Sequence, residues 1–184
     1  MHKKICLLVL ILFCFCFRAV AYDALEVSAG WLDSDIREGL DYRGFILTVG
    51  FDYQADAVLS SSGFNPGPDF AFVLEPFVSA VSDPDTNLEL GTNFLLKYTL
   101  PFWTRVKPYL KGGVGIMYMT QHTREQSTQF NFLPQAGAGM HFFIDDSVAF
   151  NLEYRFRHLS NCDLKKPNKG IDSDIFLTGV SFFF

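Results

Sequence analysis

Residues 87–99 read N-L-E-L-G-T-N-F-L-L-K-Y-T. Leu88, Leu90, Phe94, Leu96 and Tyr98 fall on one phase, and Glu89, Asn93 and Lys97 fall on the other. Successive side chains of a strand point to opposite sides of the sheet, so this is a strand with one apolar and one charged face. Which of the two faces is the inner one decides the fold.

The same alternation recurs in segments of about ten residues, predicting strands near 23–32, 42–54, 69–81, 107–119, 129–143, 147–160 and 173–184. With 87–99 that makes eight strands and no helix. The polar faces carry Glu26, Glu75, Glu89 and Glu153 against Lys97, Lys111, Arg155 and Arg157, four charges of each sign. The 21 phenylalanines would overfill the interior of an eight-stranded barrel, whereas opposed charges fill it and neutralise one another. The expectation is therefore an all-β chain, an eight-stranded antiparallel transmembrane β-barrel of the bacterial outer membrane, in preference to a soluble sandwich or lipocalin-like barrel. The closing V-S-F-F-F, ending on Phe184, resembles the assembly signal of such barrels. An even strand count puts both termini on the periplasmic side and the loops after strands one, three, five and seven outside. The connection 55–68 is long for the periplasmic turn this requires.

The N-terminus is read separately. Met1-His2-Lys3-Lys4 is basic, residues 5–17 are an unbroken apolar run, and Ala19-Val20-Ala21 offers a small-x-small cleavage site. This is the pattern of a secretory signal peptide, giving a leader over 1–21 and a barrel domain over 22–184. Removing Lys3, Lys4 and Arg18 takes the net charge from −5 to −8, which argues against nucleic acid as a partner. Of the four cysteines only Cys162 stays in the mature chain, so no internal disulfide is available. No phosphate-loop, dinucleotide or zinc spacing occurs, and neither a cofactor nor a metal is expected.

The alternation of 147–160 ends unusually. The phase that carries Phe150, Leu152, Tyr154 and Phe156 goes on to His158 and Ser160. Two residues apart on one face, their Cα atoms lie roughly 6.5–7 Å from each other, within reach of an imidazole–hydroxyl contact. A serine hydroxyl needs a base to become a nucleophile, and a histidine base works better with a carboxylate on its far nitrogen. Asp172 shares the outward phase at the start of the next strand, and so does Asp174. Spacing alone leaves a second reading open, in which the pair marks where the strand leaves the bilayer for the headgroups. Cys162 is read as incidental. His141, on an inward phase, and His122, in an outer loop, are read as structural.

The run H-L-S-N-C-D-L-K-K-P-N-K-G-I-D, residues 158–172, resembles the signature of the PagL-type lipid A deacylases, an outer-membrane acyloxyacyl hydrolase-like family. The matching positions are His158, Ser160, Asn161, Pro167, Asn168, Gly170 and Asp172. The resemblance implies a barrel with its active site facing the outer leaflet, which removes the ester-linked 3-hydroxyacyl chain at position 3 of lipid A. It implies Ser160 as nucleophile, His158 as general base and Asp172 as orienting acid. Asn161 and Asn168 would build the oxyanion site or hold the loop, and Gly170 would permit its turn. Asp172 stands at the acid position of the family motif, where a known member has Glu, with Asp174 as the fallback acid. Asp163 puts a negative charge where an oxyanion would develop. Lys165, Lys166 and Lys169 are candidate contacts for lipid A phosphates. The alternatives from other classes are a non-enzymatic structural or small-solute barrel and an outer-membrane phospholipase. Whether barrels pair as homodimers is left open by the sequence.

Overall fold

The computed structural model describes residues 22–36, 40–59, 63, 67, 69–101, 105–120 and 127–184. Residues 1–21, with the expected leader, and His122 lie outside the described residues. Eight strands form: β1 (Ala24–Ile36), β2 (Leu40–Gln54), β3 (Phe70–Asp83), β4 (Asn87–Thr99), β5 (Val106–Met119), β6 (Phe130–Phe143), β7 (Val148–Leu159) and β8 (Ile171–Phe183). Each pairs antiparallel with its neighbour in sequence, and β8 closes on β1 through Ala24↔Phe183 to Asp33↔Asp174. Closure leaves no unpaired sheet edge, the condition for placing strands in lipid.

The strand count and side-chain phases agree with the sequence reading, while several ends move. β1 runs on to Ile36, and β8 starts two residues early at Ile171. The expectation of no helix is corrected by the five-residue α1 (Ala55–Leu59), which occupies the start of the long 55–68 connection. No described helix is long and apolar enough to cross a membrane.

The outer wall is the apolar one. Trp31 is 53% exposed, Leu90 60% and Phe176 57%, and Phe45, Leu110 and Leu152 are also exposed, which spreads apolar area around the whole wall. An apolar surface this continuous has no place in water and suits hydrocarbon. It excludes the lipocalin-like alternative, whose apolar face would turn inward.

Inside, charge is buried but paired. Lys97 Nζ donates to Glu26 at 2.8 Å and also to Asp52; Lys111 Nζ reaches Glu26 at 2.8 Å and Glu153 at 3.0 Å. Arg155 grips Glu75 with two bonds, 2.6 and 3.0 Å, and also binds Glu153. Arg157 bonds Glu89 at 3.0 Å, and Tyr42 donates to the same carboxylate at 2.6 Å. All eight of these charges are paired inside, and so is Asp52 on the polar phase of β2. The end of the lumen away from the termini is plugged differently, by Leu32, Ile46, Met119, Leu133, Leu159 and Ile171. With side chains filling the lumen, a small-solute channel loses its physical basis.

Candidate active site

Burial alternates without a break from exposed Phe150 to buried Asn161, so β7 keeps its phase through its last turn. His158 and Ser160 are half-buried, and their neighbours Arg157, Leu159 and Asn161 are almost wholly buried. The two residues thus sit on the outer wall, above an apolar plug that fixes the strand from within.

Register supplies the acid. His158 stands opposite Asp172 across the β7–β8 ladder, and His158 Nδ1 lies 2.5 Å from Asp172 Oδ1. Their side chains are 40% and 63% exposed, so the pair faces outward. Asp174 is taken by another group: Tyr154 Oη donates to its Oδ1 at 2.6 Å. Asp172, rather than Asp174, therefore contacts the imidazole. The other ring nitrogen of His158, Nε2, has no hydrogen bond among the described residues and is the one left for a hydroxyl. The described hydrogen bonds of Ser160 are backbone ones, to Phe132 at 2.7 and 3.0 Å; a bond between Ser160 Oγ and His158 is not among them.

The loop 160–170 is held by its asparagines. Asn161 gives its backbone N–H to Asn168 Oδ1 at 2.9 Å, and its amide group donates to Lys165 O at 2.8 Å and Ser127 Oγ at 3.2 Å. Its donors are committed to the loop, which makes Asn161 and Asn168 braces. The braces hold a backbone that needs them, since Cys162 and Asp163 both take left-handed φ, 52° and 59°. Asp163 Oδ1 accepts from Lys166 Nζ at 3.0 Å and Asn168 Nδ2 at 3.2 Å, so its charge is partly countered. Gly170 has φ 79°, and a Cβ there would come within 2.5 Å of His158 Cε1. Glycine thus serves both the turn and the approach of the ring. Lys165 and Lys169 are exposed on the same loop.

Sequence reading missed Ser127. Besides accepting from Asn161, it donates its N–H to Pro167 O at 3.0 Å and so ties the β5–β6 loop to the loop after β7. No periodic signal marks such a contact between loops.

The ladder also locates a boundary on the outer wall. Phe156, Asp174, Asp33 and Arg43 form one paired row across β7, β8, β1 and β2, and Asp83 of β3 extends it. One outward step nearer the termini, the row is Tyr154, Phe176, Trp31, Phe45 and Ala80. Charge gives way to aromatic and apolar groups between the two. His158 and Asp172 lie one outward step on the charged side.

Several solved structures share the fold. The outer membrane enzyme PagL superposes with a TM-score of 0.64 at 16% identity, covering 88% of this chain and 99% of that one. Neisserial surface protein A gives 0.68 at 14%, covering 88% and 96%. OprG from Pseudomonas aeruginosa gives 0.51 at 13%, covering 89% and 97%. A search of curated proteins finds no match. The model of one protein family, lipid A 3-O-deacylase (PagL), matches residues 44–181, from β2 into β8. With three quarters of its length matched by that model, the chain belongs to the PagL family of lipid A 3-O-deacylases, and its fold is that of an outer-membrane barrel.

Proposed function

We propose that this chain hydrolyses the 3-O-linked 3-hydroxyacyl ester of lipid A as a serine esterase, with Ser160 as nucleophile, His158 as general base and Asp172 as the acid that orients it. The observation that carries the reading is the outward His158–Asp172 contact, set one step beyond the polar boundary of the lipid-facing wall. An imidazole and a carboxylate facing a bilayer are useful when the substrate is itself a membrane lipid.

Ser160 Oγ attacks the ester carbonyl while His158 takes the hydroxyl proton at Nε2. Asp172, on Nδ1, holds the tautomer and stabilises the imidazolium. Collapse of the tetrahedral intermediate expels the sugar 3-oxygen, which receives the proton from His158. Water then repeats the sequence on the acyl-enzyme and releases a 3-hydroxy fatty acid. The mature chain begins at Tyr22 after loss of 1–21, both termini face the periplasm, and the site opens to the outer leaflet. Lys165, Lys166 and Lys169 there meet the phosphates of lipid A.

Labelling with a long-chain organophosphonate tests the nucleophile. The wild-type barrel should carry one adduct, on the peptide containing Ser160, and the His158→Ala variant should label at least tenfold more slowly. An adduct at another residue, or equal labelling of Ser160→Ala, would refute the assignment. Offering the same preparations a glycerophospholipid separates a phospholipase, which would release fatty acid from it at a comparable rate.

A further inference from the structure

Pairing between β6 and β7 is regular from Phe143↔Ala149 to Gln135↔Arg157, then lapses for two rows and resumes at Phe132↔Ser160. The register is the same on both sides of the gap, so Pro134 lies opposite His158. Phe132 and Ser160 exchange both backbone bonds. In an antiparallel ladder such doubly bonded pairs recur at every second row, so the next one is Pro134 with His158. Proline has no N–H to give. The carbonyl of the histidine beside the nucleophile is thus denied its ladder donor, on a wall where Pro134 is exposed and His158 half-exposed. A backbone acceptor at a lipid-facing surface must find its donor elsewhere.

We propose that the carbonyl oxygen of His158 is a substrate-binding group that accepts a hydrogen bond from an amide N–H neighbouring the scissile ester. The proposal rests on the reading of the site as a lipid A 3-O-deacylase. In a 2-acylamido-3-O-acyl sugar, the amide nitrogen and the ester oxygen are on adjacent ring carbons. That N–H is a donor vicinal to the scissile ester, and hydrolysis leaves it intact. Along β7 the His158 carbonyl precedes the Ser160 Cα by roughly 5 Å, a spacing that suits two vicinal substituents. A glycerophospholipid presents an ester with no N–H beside it. The subsite therefore selects an acylated amino sugar over the bulk lipid that surrounds the barrel, with no change in the chemistry of the triad. Pro134 is then a positioning residue: it touches no reacting atom and keeps the acceptor open.

The test uses wild-type barrel and Pro134→Ala in detergent micelles. The two substrates are a 2-acylamido-3-O-acyl glucosamine 1-phosphate and its N-methyl amide, which keeps the ester and removes the donor. The wild type should favour the N–H substrate by about tenfold in kcat/KM, the worth of one hydrogen bond. Pro134→Ala restores a backbone N–H that occupies the carbonyl, so the ratio of its rates on the two substrates should fall from about tenfold to about one. Equal rates on both substrates with wild type would overturn the proposal, and so would a Pro134→Ala variant that keeps the preference. The wild-type comparison decides alone if that variant does not fold. Hydrolysis of neither substrate by folded wild type would refute the deacylase reading itself, and this proposal with it; hydrolysis without preference refutes the proposal only.

Discussion

Gly170 and His158 touch across the root of the loop that follows β7: a Cβ on the glycine would fall 2.5 Å from the imidazole Cε1 and 3.1 Å from Nε2. The glycine also holds φ 79°, a conformation that side-chain-bearing residues rarely take. Ring and loop are thus fitted to each other, and the fit permits no substituent.

Gly170→Ala should lower kcat by at least about 100-fold, the scale of losing a positioned general base. The barrel should still fold, as read by heat-modifiable migration on gels. A variant that keeps more than half of wild-type activity would show that the ring tolerates displacement.

Asp172→Asn should also cost about 100-fold or more in kcat, because the amide offers the imidazole no charge and favours the wrong tautomer. Asp174→Asn should change kcat less than about threefold, since that carboxylate is bonded to Tyr154 and not to the histidine. Steady-state assays of both variants on one lipid substrate check the assignment, and the reverse ranking would move the acid to Asp174.

In the lumen, Arg155→Met should leave Glu75 and Glu153 buried without their shared guanidinium. Breaking a buried pair from one side destabilises by about 3–5 kcal/mol. A urea titration of the refolded barrel should show a clearly lower midpoint, and an unchanged midpoint would mean that the network is dispensable. Whatever fraction folds should still hydrolyse ester, because Arg155 faces away from the candidate site.

Asp145, in the turn between β6 and β7, accepts from the Ser147 N–H at 2.8 Å, Ser147 Oγ at 3.0 Å and the Val148 N–H at 2.8 Å. These bonds hold its carboxyl below the usual carboxylate range. A carboxyl depressed in the folded state stabilises above its unfolded value, about 3.9, and loses that contribution as pH falls through the folded value. Asp145→Ala should therefore unfold more easily than wild type at neutral pH, and the difference should shrink below about pH 4. A difference that grows with acid would reverse the sign.

Much of this was legible in the residues, and what was not has a physical reason. Period-two alternation locates strands because side chains must alternate between lipid and lumen, so the outward phase of His158, Ser160, Asp172 and Asp174 was readable. Which aspartate meets the imidazole was not, because it depends on the β7–β8 register, which no single strand encodes. The apolar plug under the site was hidden for a similar reason. Leu159 and Leu133 occupy phases read as polar on their own strands, Ile171 precedes the strand expected from 173, and only closure brings the three together. The tie from Ser127 to Asn161 joins two loops and leaves no periodic trace. Pro134 was visible from the start, but its meaning required knowing that His158 stands across from it.

The central claim, that Ser160 on the lipid-facing wall opens a lipid A ester, is tested most directly by the mass of lipid A from outer membranes carrying either the wild-type chain or Ser160→Ala. The account predicts loss of one 3-hydroxyacyl chain with wild type and intact lipid A with the folded variant. Intact lipid A beside folded wild-type barrel, or the same loss with Ser160→Ala, would contradict it.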